Sequence, residues 1–425
     1  MIASPSKSSY DVVVIGGGPA GTTAATLLQR QGHRCLVLES STFPRYHIGE
    51  SLIPHTHDTF DHLGLLPKLR ASHFPVKHSV RFIPPSGKDA TPFYFSETIE
   101  GERATTWQVE RGEFDQLCQD NARDAGVEIR SATKVNNVIF DDEGAVGVRA
   151  QSDGQQSEDI AARVVIDASG RATIIGQQLN LKTDVPGLDK ASIWTYYEGG
   201  HRGTGIDAGE TTVFMIPHRG WFWYIPLAND MVSVGVVASP EYLFRDSNRY
   251  EDVFPREVEQ CEALSSWLAD AGPLGPLRGL RRLAYLNRQV VGNGWVMVGD
   301  AAGFLDPIYS SGLFLALASG ELAAQCIHDA LEADDVSAER LGKFVPLLWE
   351  GIEVIHRLIR AFYDPSFSFH KFAQRFPEQR AALIDCLVGD VVGKDMTAFL
   401  NSLAEMTPAP QPLHAETESL TRRAV

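Results

Sequence analysis

Apolar and polar positions along this chain fall into several distinct rhythms. Residues Tyr10 to Ile15 read YDVVVI, a β-branched run without polar alternation, as in a strand buried on both faces of a parallel sheet. GGGPAG follows and opens a segment of helical spacing, TTAATLLQRQG, after which CLVLE at Cys35 to Glu39 reads as a second strand. Strand, glycine turn, helix and strand make one βαβ unit. Further strands are predicted near 127 to 132 (VEIRSA), at 164 to 170 (VVIDASG) and at 295 to 303 (WVMVGDAAG), so the nucleotide-binding unit is assembled from separated stretches. Between them the chain is rich in aromatic and alternating positions, such as WTYYEGG and MVSVGVVAS, the pattern of an antiparallel sheet with one buried face. From about Leu331 the period becomes helical, with Ile352, Ile355, Ile359 and Phe362 on one face.

These rhythms predict an α/β (α+β) chain in four parts. A discontinuous nucleotide-binding domain takes 1–75, 107–180 and 290–330, and a substrate domain takes 76–106 and 181–289. A C-terminal helical region runs over 331–406, and a polar tail, 407–425, carries Pro408, Pro410 and Pro412 and is expected to be disordered. No internal repeat is visible.

Composition narrows the function classes. A chain of 425 residues, 44% hydrophobic and 22% charged, can bury a large core. Its formal charge of −16 repels phosphate backbones and anionic headgroups, which argues against nucleic-acid or membrane-surface partners. The five cysteines, Cys35, Cys118, Cys261, Cys326 and Cys386, are scattered without a CxxC pair, so neither a disulfide framework nor a metal site is expected. MIASPSKSS lacks the apolar core of a signal peptide, and no window approaches the roughly 18 to 20 apolar residues of a membrane span. A cytoplasmic location is expected.

The chemistry begins at GGGPAG. Gly16, Gly18 and Gly21 form GxGxxG with Ala20 inside it, and such a turn lets backbone N–H groups at a helix start approach a pyrophosphate. Glu39 ends the second strand, where a carboxylate accepts hydrogen bonds from an adenosine ribose. NAD and FAD share this device. The stretch VMVGDAAGFLDP at 296 to 307 resembles the second FAD motif of glutathione-reductase-like flavoproteins, in which an Asp, here Asp300, contacts the ribityl chain. VIDASGR at 165 to 171 is similar to the companion segment, and Arg45, GES at 49 to 51 and Arg111 in VERGEFD resemble further flavin-contacting stretches. The resemblance implies a glutathione-reductase-like FAD-binding fold with an inserted antiparallel-sheet substrate domain. It implies FAD contacts at Gly16, Gly18, Ala20, Gly21, Glu39, Arg45, Ser51, Arg111, Asp300, Pro307, Gly312 and Leu313.

FAD proteins of this build include aromatic hydroxylases, prenyl reductases and halogenases, so the fold does not choose the chemistry. Residues 221 to 226 read WFWYIP and match the WxWxIP pattern of flavin-dependent halogenases. Trp221 and Trp223 point to one face of a strand, a wall able to keep an organic substrate away from the flavin. The chain thus resembles the phenol and pyrrole type of flavin-dependent halogenase, related to tryptophan halogenases. The resemblance assigns Lys77, in FPVKHSV, as the essential lysine that receives hypochlorous acid formed at the flavin. Burial would lower its pKa and free its nitrogen. It places the halide, chloride or bromide, at the backbone N–H groups of Ser311 and Gly312 in DPIYSSGLF.

That loop departs from the family pattern. Tryptophan halogenases carry a glutamate base there, whereas this sequence has Tyr309, with Asp306 at the first position. A phenol or pyrrole stabilises its own cationic intermediate and needs less help from a carboxylate. The expected substrate is therefore an electron-rich phenolic or pyrrolic aromatic, free or tethered to a carrier protein, from natural-product biosynthesis. DPSF at 364 to 367 and CLVGDV at 386 to 391 are similar to the ending of carrier-dependent halogenases, and Arg278, Arg281 and Arg282 offer a basic cluster for an acidic carrier. Without a second dinucleotide fingerprint, reduced FAD is expected from a separate flavin reductase. The competing expectations are an aromatic hydroxylase, a prenyl reductase and a non-catalytic flavin-binding scaffold.

Overall fold

A computed structural model describes residues 10–88, 90–216 and 220–413. The apolar YDVVVI run is the centre of a sheet in which Tyr10–Ile15 pairs in parallel with Cys35–Leu38 on one side and Glu158–Asp167 on the other. Glu128–Arg130 and Trp295–Met297 extend it in parallel at the two flanks. Thr133–Phe140 and Ala145–Ser152, two strands that the sequence patterns did not single out, form an antiparallel hairpin that continues into Glu158–Asp167. Helices Pro19–Arg30 and Ser311–Glu332 cover the sheet with small residues, Ala20, Ala24, Ala323 and Ala324, which let backbones approach closely.

The second sheet has seven strands, and its centre is Gly220–Pro226, which is buried throughout. Met231–Ala238 and Thr211–Ile216 flank that strand in antiparallel register. Ser79–Ile83 then joins Thr211–Ile216 in parallel, so the sheet is mixed and not wholly antiparallel as the alternation predicted. The reason is connectivity: these neighbours come from separate passes of the chain and need no hairpin. Along the central strand Trp221, Trp223 and Ile225 face one core and Phe222 and Tyr224 the other.

The C-terminal helices pack on the tryptophan face. Ile355, Ile359 and Phe362 of the helix Val345–Tyr363 are buried there, as their spacing predicted. The tail corrects the expectation of disorder from 407 onward: Thr407 is buried, and the Leu413 amide donates to Glu353 Oε2 at 3.1 Å. The rest of that segment, 414–425, and the first nine residues lie outside the described residues. Among those described, no helix is long and apolar enough to cross a membrane, and all five cysteines are free.

Candidate active site

The glycine turn is built around Glu39. Its carboxylate accepts from the Gly17 and Ser41 amides, both at 2.8 Å, and so ties the end of one strand to the turn leaving its neighbour. Gly16, with φ of +103°, and Gly18 then face a cavity of about 520 Å³, in the range of cofactor and ligand sites. Gly18 caps the helix Pro19–Arg30, whose first-turn N–H groups lack intrahelical acceptors and form an anion cradle. A Cβ on Gly18 would meet only Arg45 Nη2, at 3.5 Å, so a pyrophosphate can approach this backbone.

Most of the anticipated flavin contacts line this cavity: Ala20, Glu39, Arg45, Ser51, Arg111, Asp300, Pro307, Gly312 and Leu313. Gly21 does not. It packs against the sheet, where a Cβ would lie 2.2 Å from the Gly16 carbonyl oxygen. Arg111 lines the wall, yet its guanidinium is occupied by Asp115, at 2.8 and 3.0 Å, and by the carbonyls of Ile48 and Gly49. It orders the segment that crosses the cavity.

FAD fits what these residues leave open. The Asp300 carboxyl faces the cavity with no hydrogen-bond donor among the described residues, and enclosure pushes it up to about 6 against the pull of Arg171 and Arg111. A ribityl hydroxyl is the donor such a group lacks. At the far end the helix Ser311–Glu332 starts from Ser310, which is left-handed at φ of 55°. Gly312 and Ser310 line the cavity; Ser311 is buried and, together with Gly312, lines a smaller one of about 40 Å³. Of the expected halide pair, Gly312 borders both cavities and Ser311 the smaller one.

Trp221 and Trp223 wall the cavity side by side, ring centroids 6.1 Å apart, and Trp194 lies 6.3 Å beyond Trp223. Both indole N–H groups end on buried carboxyls. Trp221 Nε1 donates to the Tyr363 hydroxyl at 2.9 Å, which donates to Asp306 at 2.9 Å. Trp223 Nε1 donates to Ser233 Oγ at 3.1 Å; that hydroxyl lies 3.5 Å from Glu50, whose other oxygen accepts from Tyr196 at 2.6 Å. Burial raises both carboxyls, Asp306 to about 6. Sequence reading passed over Trp194, Tyr196 and Tyr363 as parts of the site and named Glu50 only within the GES stretch at 49 to 51. Trp194 and Tyr196, two apart in WTYYEGG, carried the same signal as WFW.

Lys77 is 2% exposed and stands behind the cavity wall. Its Nζ donates to Ser51 Oγ at 2.9 Å and to the Leu52 carbonyl at 3.0 Å, with the Phe95 ring centroid 5.4 Å away. Burial lowers its pKa to about 7 against the opposing pull of Glu210. Tyr309, in the place of the family's glutamate, is buried away from the cavity and donates to the Leu358 carbonyl at 3.2 Å. The arginine cluster is divided. Arg278 stacks on Tyr46 and Arg281 on Phe244, and residues three apart on a strand face opposite sides.

The tryptophan halogenase family model matches residues 11–102 and 85–375. A pyrrole-2-carbonyl peptidyl-carrier-protein chlorinase of Pseudomonas fluorescens is 29% identical, over 95% of this chain and 94% of its own. The corresponding brominase of Pseudoalteromonas luteoviolacea is 30% identical, over 93% and 97%. Among solved structures, the flavin-dependent brominase Bmp2 superposes with a TM-score of 0.84 at 28% identity, covering 93% of this chain and 98% of that one. The myxobacterial chondrochloren halogenase CndH gives 0.78 at 29% identity, covering 93% and 96%. Matched over most of its length in sequence and in fold, the chain belongs to the tryptophan halogenase family, enzymes that use FAD and a halide.

Proposed function

We propose that this enzyme halogenates a pyrrole held as a thioester on a carrier protein, with Lys77 delivering the halogen. The observation that carries the role of Lys77 is its amine, fully buried and hydrogen-bonded to the Ser51 hydroxyl, which itself lines the cavity. An amine lowered to about 7 is largely neutral at physiological pH, and a neutral nitrogen has the lone pair that an electrophilic halogen needs. Reduced FAD, when bound, would supply two of the four electrons that dioxygen takes up, the halide giving the other two, so that hypohalous acid and water result. The chain holds the cofactor through Gly16, Gly18, Glu39 and Asp300, and the first-turn amides at Gly312 offer the halide its donors. Trp221 and Trp223 exclude the aromatic substrate from that side.

The substrate reading is supported by two relatives that act on carrier-bound pyrrole and match this chain nearly end to end. Tyr309 supports it independently, because no carboxylate stands where free tryptophan would need a base. A separate flavin reductase provides the reduced FAD. The test is mass spectrometry of pyrrolyl-loaded carrier protein incubated with enzyme, FAD, NADH, a flavin reductase, oxygen and either chloride or bromide. Halogen added to the carrier-bound pyrrole, and not to free pyrrole-2-carboxylate, is the expected result. Halogenation of free phenols or pyrroles alone would overturn the tethered substrate, and halide-independent hydroxylation would overturn the chemistry.

A further inference from the structure

Two histidines meet on the nucleotide-binding side of the molecule across 295 residues of sequence. His33 stands in the turn between the helix Pro19–Arg30 and the strand Cys35–Leu38, where its amide donates to the Leu28 carbonyl at 3.1 Å. His328 lies near the end of the helix Ser311–Glu332, and Glu332 follows it four residues later on the same helix face. His33 Nε2 and His328 Nδ1 are 2.8 Å apart, with ring centroids at 5.1 Å and ring planes tilted by 59°. Glu332 joins them, so two ring nitrogens and a carboxylate oxygen lie within 4.8 Å of one another. His33 is buried at 7% exposure, His328 is half-buried and Glu332 is exposed, which closes the cluster at its base and opens it to solvent at its mouth.

Two imidazoles set nitrogen to nitrogen share one hydrogen, whichever ring carries it. Burial, and then the neighbouring ring, lower the pKa of His33 and keep it neutral, the form that ligates a metal. Moving the shared hydrogen to the outer nitrogen of its own ring turns both facing atoms into lone-pair donors, with no net loss of a proton. With metal–nitrogen bonds of about 2.0–2.1 Å, the 2.8 Å separation subtends about 90° at an ion, and opening it by about 0.5 Å reaches the tetrahedral angle. The surrounding charge also favours a cation. Asp11 and Glu332 act on His33 as negative neighbours, while the positive neighbour Arg163 is engaged by Asp334 at 2.6 Å.

We infer that His33, His328 and Glu332 bind one divalent transition-metal ion of the zinc class, with water completing its coordination. Imidazole with a carboxylate suits such ions, whereas calcium and magnesium take oxygen ligands. The ion ties the turn before Cys35–Leu38 to the last turn of the helix Ser311–Glu332. From Gly312 to His328 that helix rises about 24 Å, so the ion sits far from the cavity and acts on stability, not on halogenation. The scattered cysteines could not announce this site, because its ligands are histidines from distant segments. It is independent of the role proposed for Lys77.

The test uses the untagged, FAD-loaded enzyme after treatment with a chelator and dialysis. Calorimetric titration with Zn²⁺ alone is expected to show one site per chain in the micromolar range, weakened at least tenfold in His328→Ala and at least threefold in Glu332→Gln. At about 100 times its Kd, Zn²⁺ should raise the melting temperature of the native enzyme by about 3 °C and leave that of His328→Ala where it was. Each shift is read within one variant, so a baseline change from the lost hydrogen bond does not enter it, and Glu332→Gln alters only an exposed side chain. Cu²⁺ as a paramagnetic probe should show coupling to two nitrogens in its EPR spectrum. Absence of a Zn²⁺ isotherm, binding that persists unchanged in His328→Ala, or a Cu²⁺ spectrum without nitrogen coupling would each overturn the site.

Discussion

At the scale of single residues, Lys77 stands in surroundings far from those of an ordinary surface lysine. A fall from 10.5 to about 7 corresponds to roughly 5 kcal/mol against the charged form, as an order of magnitude. The unfolded chain binds that proton more tightly than the fold does. The penalty is therefore fully present below about 7 and fades as pH rises from 7 towards 10.5. Lys77→Met should abolish halogenation while sparing flavin oxidation, and should melt higher than the native enzyme at pH 7. Differential scanning calorimetry should show that advantage shrinking at alkaline pH; a pH-independent difference would contradict a buried, neutral amine. In the native enzyme the halogenation rate should climb with pH on its acid limb through about 7. The indoles are held by a different device. Tyr363→Phe leaves the Trp221 N–H and the Asp306 carboxyl without their shared partner, a loss of about 1–3 kcal/mol. Stability by denaturant titration should fall by that amount, and halogenated product per oxygen consumed should fall with it, while FAD affinity holds.

At the scale of elements, two glycines in one turn make opposite demands. A Cβ on Gly21 would strike the Gly16 carbonyl oxygen, backbone against backbone, and neither strand nor helix can move aside. Gly21→Ala should cost several kcal/mol and reach the apoprotein. Gly18→Ala meets nothing closer than a flexible arginine tip, so the apoprotein should melt normally while flavin titration shows at least tenfold weaker FAD binding. Equal effects of the two substitutions on the apoprotein would refute this division. The contrast also shows which features can be read from sequence. The glycine turn, the carboxylate at the next strand end and the paired tryptophans are local patterns, and each takes the expected place. What escaped reading depends on segments brought together from afar: Ser51 meets Thr211 across 160 residues, Glu50 meets Tyr196 across 146, and Tyr363 meets Asp306 across 57. Gly21 was assigned by motif position, which cannot distinguish a residue facing the cofactor from one facing the sheet. Arg278 and Arg281 were grouped by nearness in sequence, although strand alternation turns them apart.

At the scale of the whole molecule, net charge would govern the proposed encounter with a carrier protein. The chain carries −16, carrier proteins are generally acidic, and two of the three arginines that would have offered a local counterweight, Arg278 and Arg281, lie on opposite faces of an edge strand. Two negative bodies repel at low salt, and the repulsion is screened beyond a Debye length of about 10 Å at 0.1 M. Added salt should therefore speed the approach, the reverse of the response when a basic patch steers an acidic partner. Between about 20 and 200 mM of a non-halide salt such as acetate, with bromide fixed, KM for carrier-bound pyrrole should fall by a few-fold while kcat stays level. An uncharged pyrrole thioester without carrier should show no such trend. A KM that rises with salt would mean that attraction governs docking, with a continuous basic surface elsewhere on the chain outweighing the net charge. Because only the charge of the two bodies enters this response, it separates how the substrate arrives from what Lys77 then does to it.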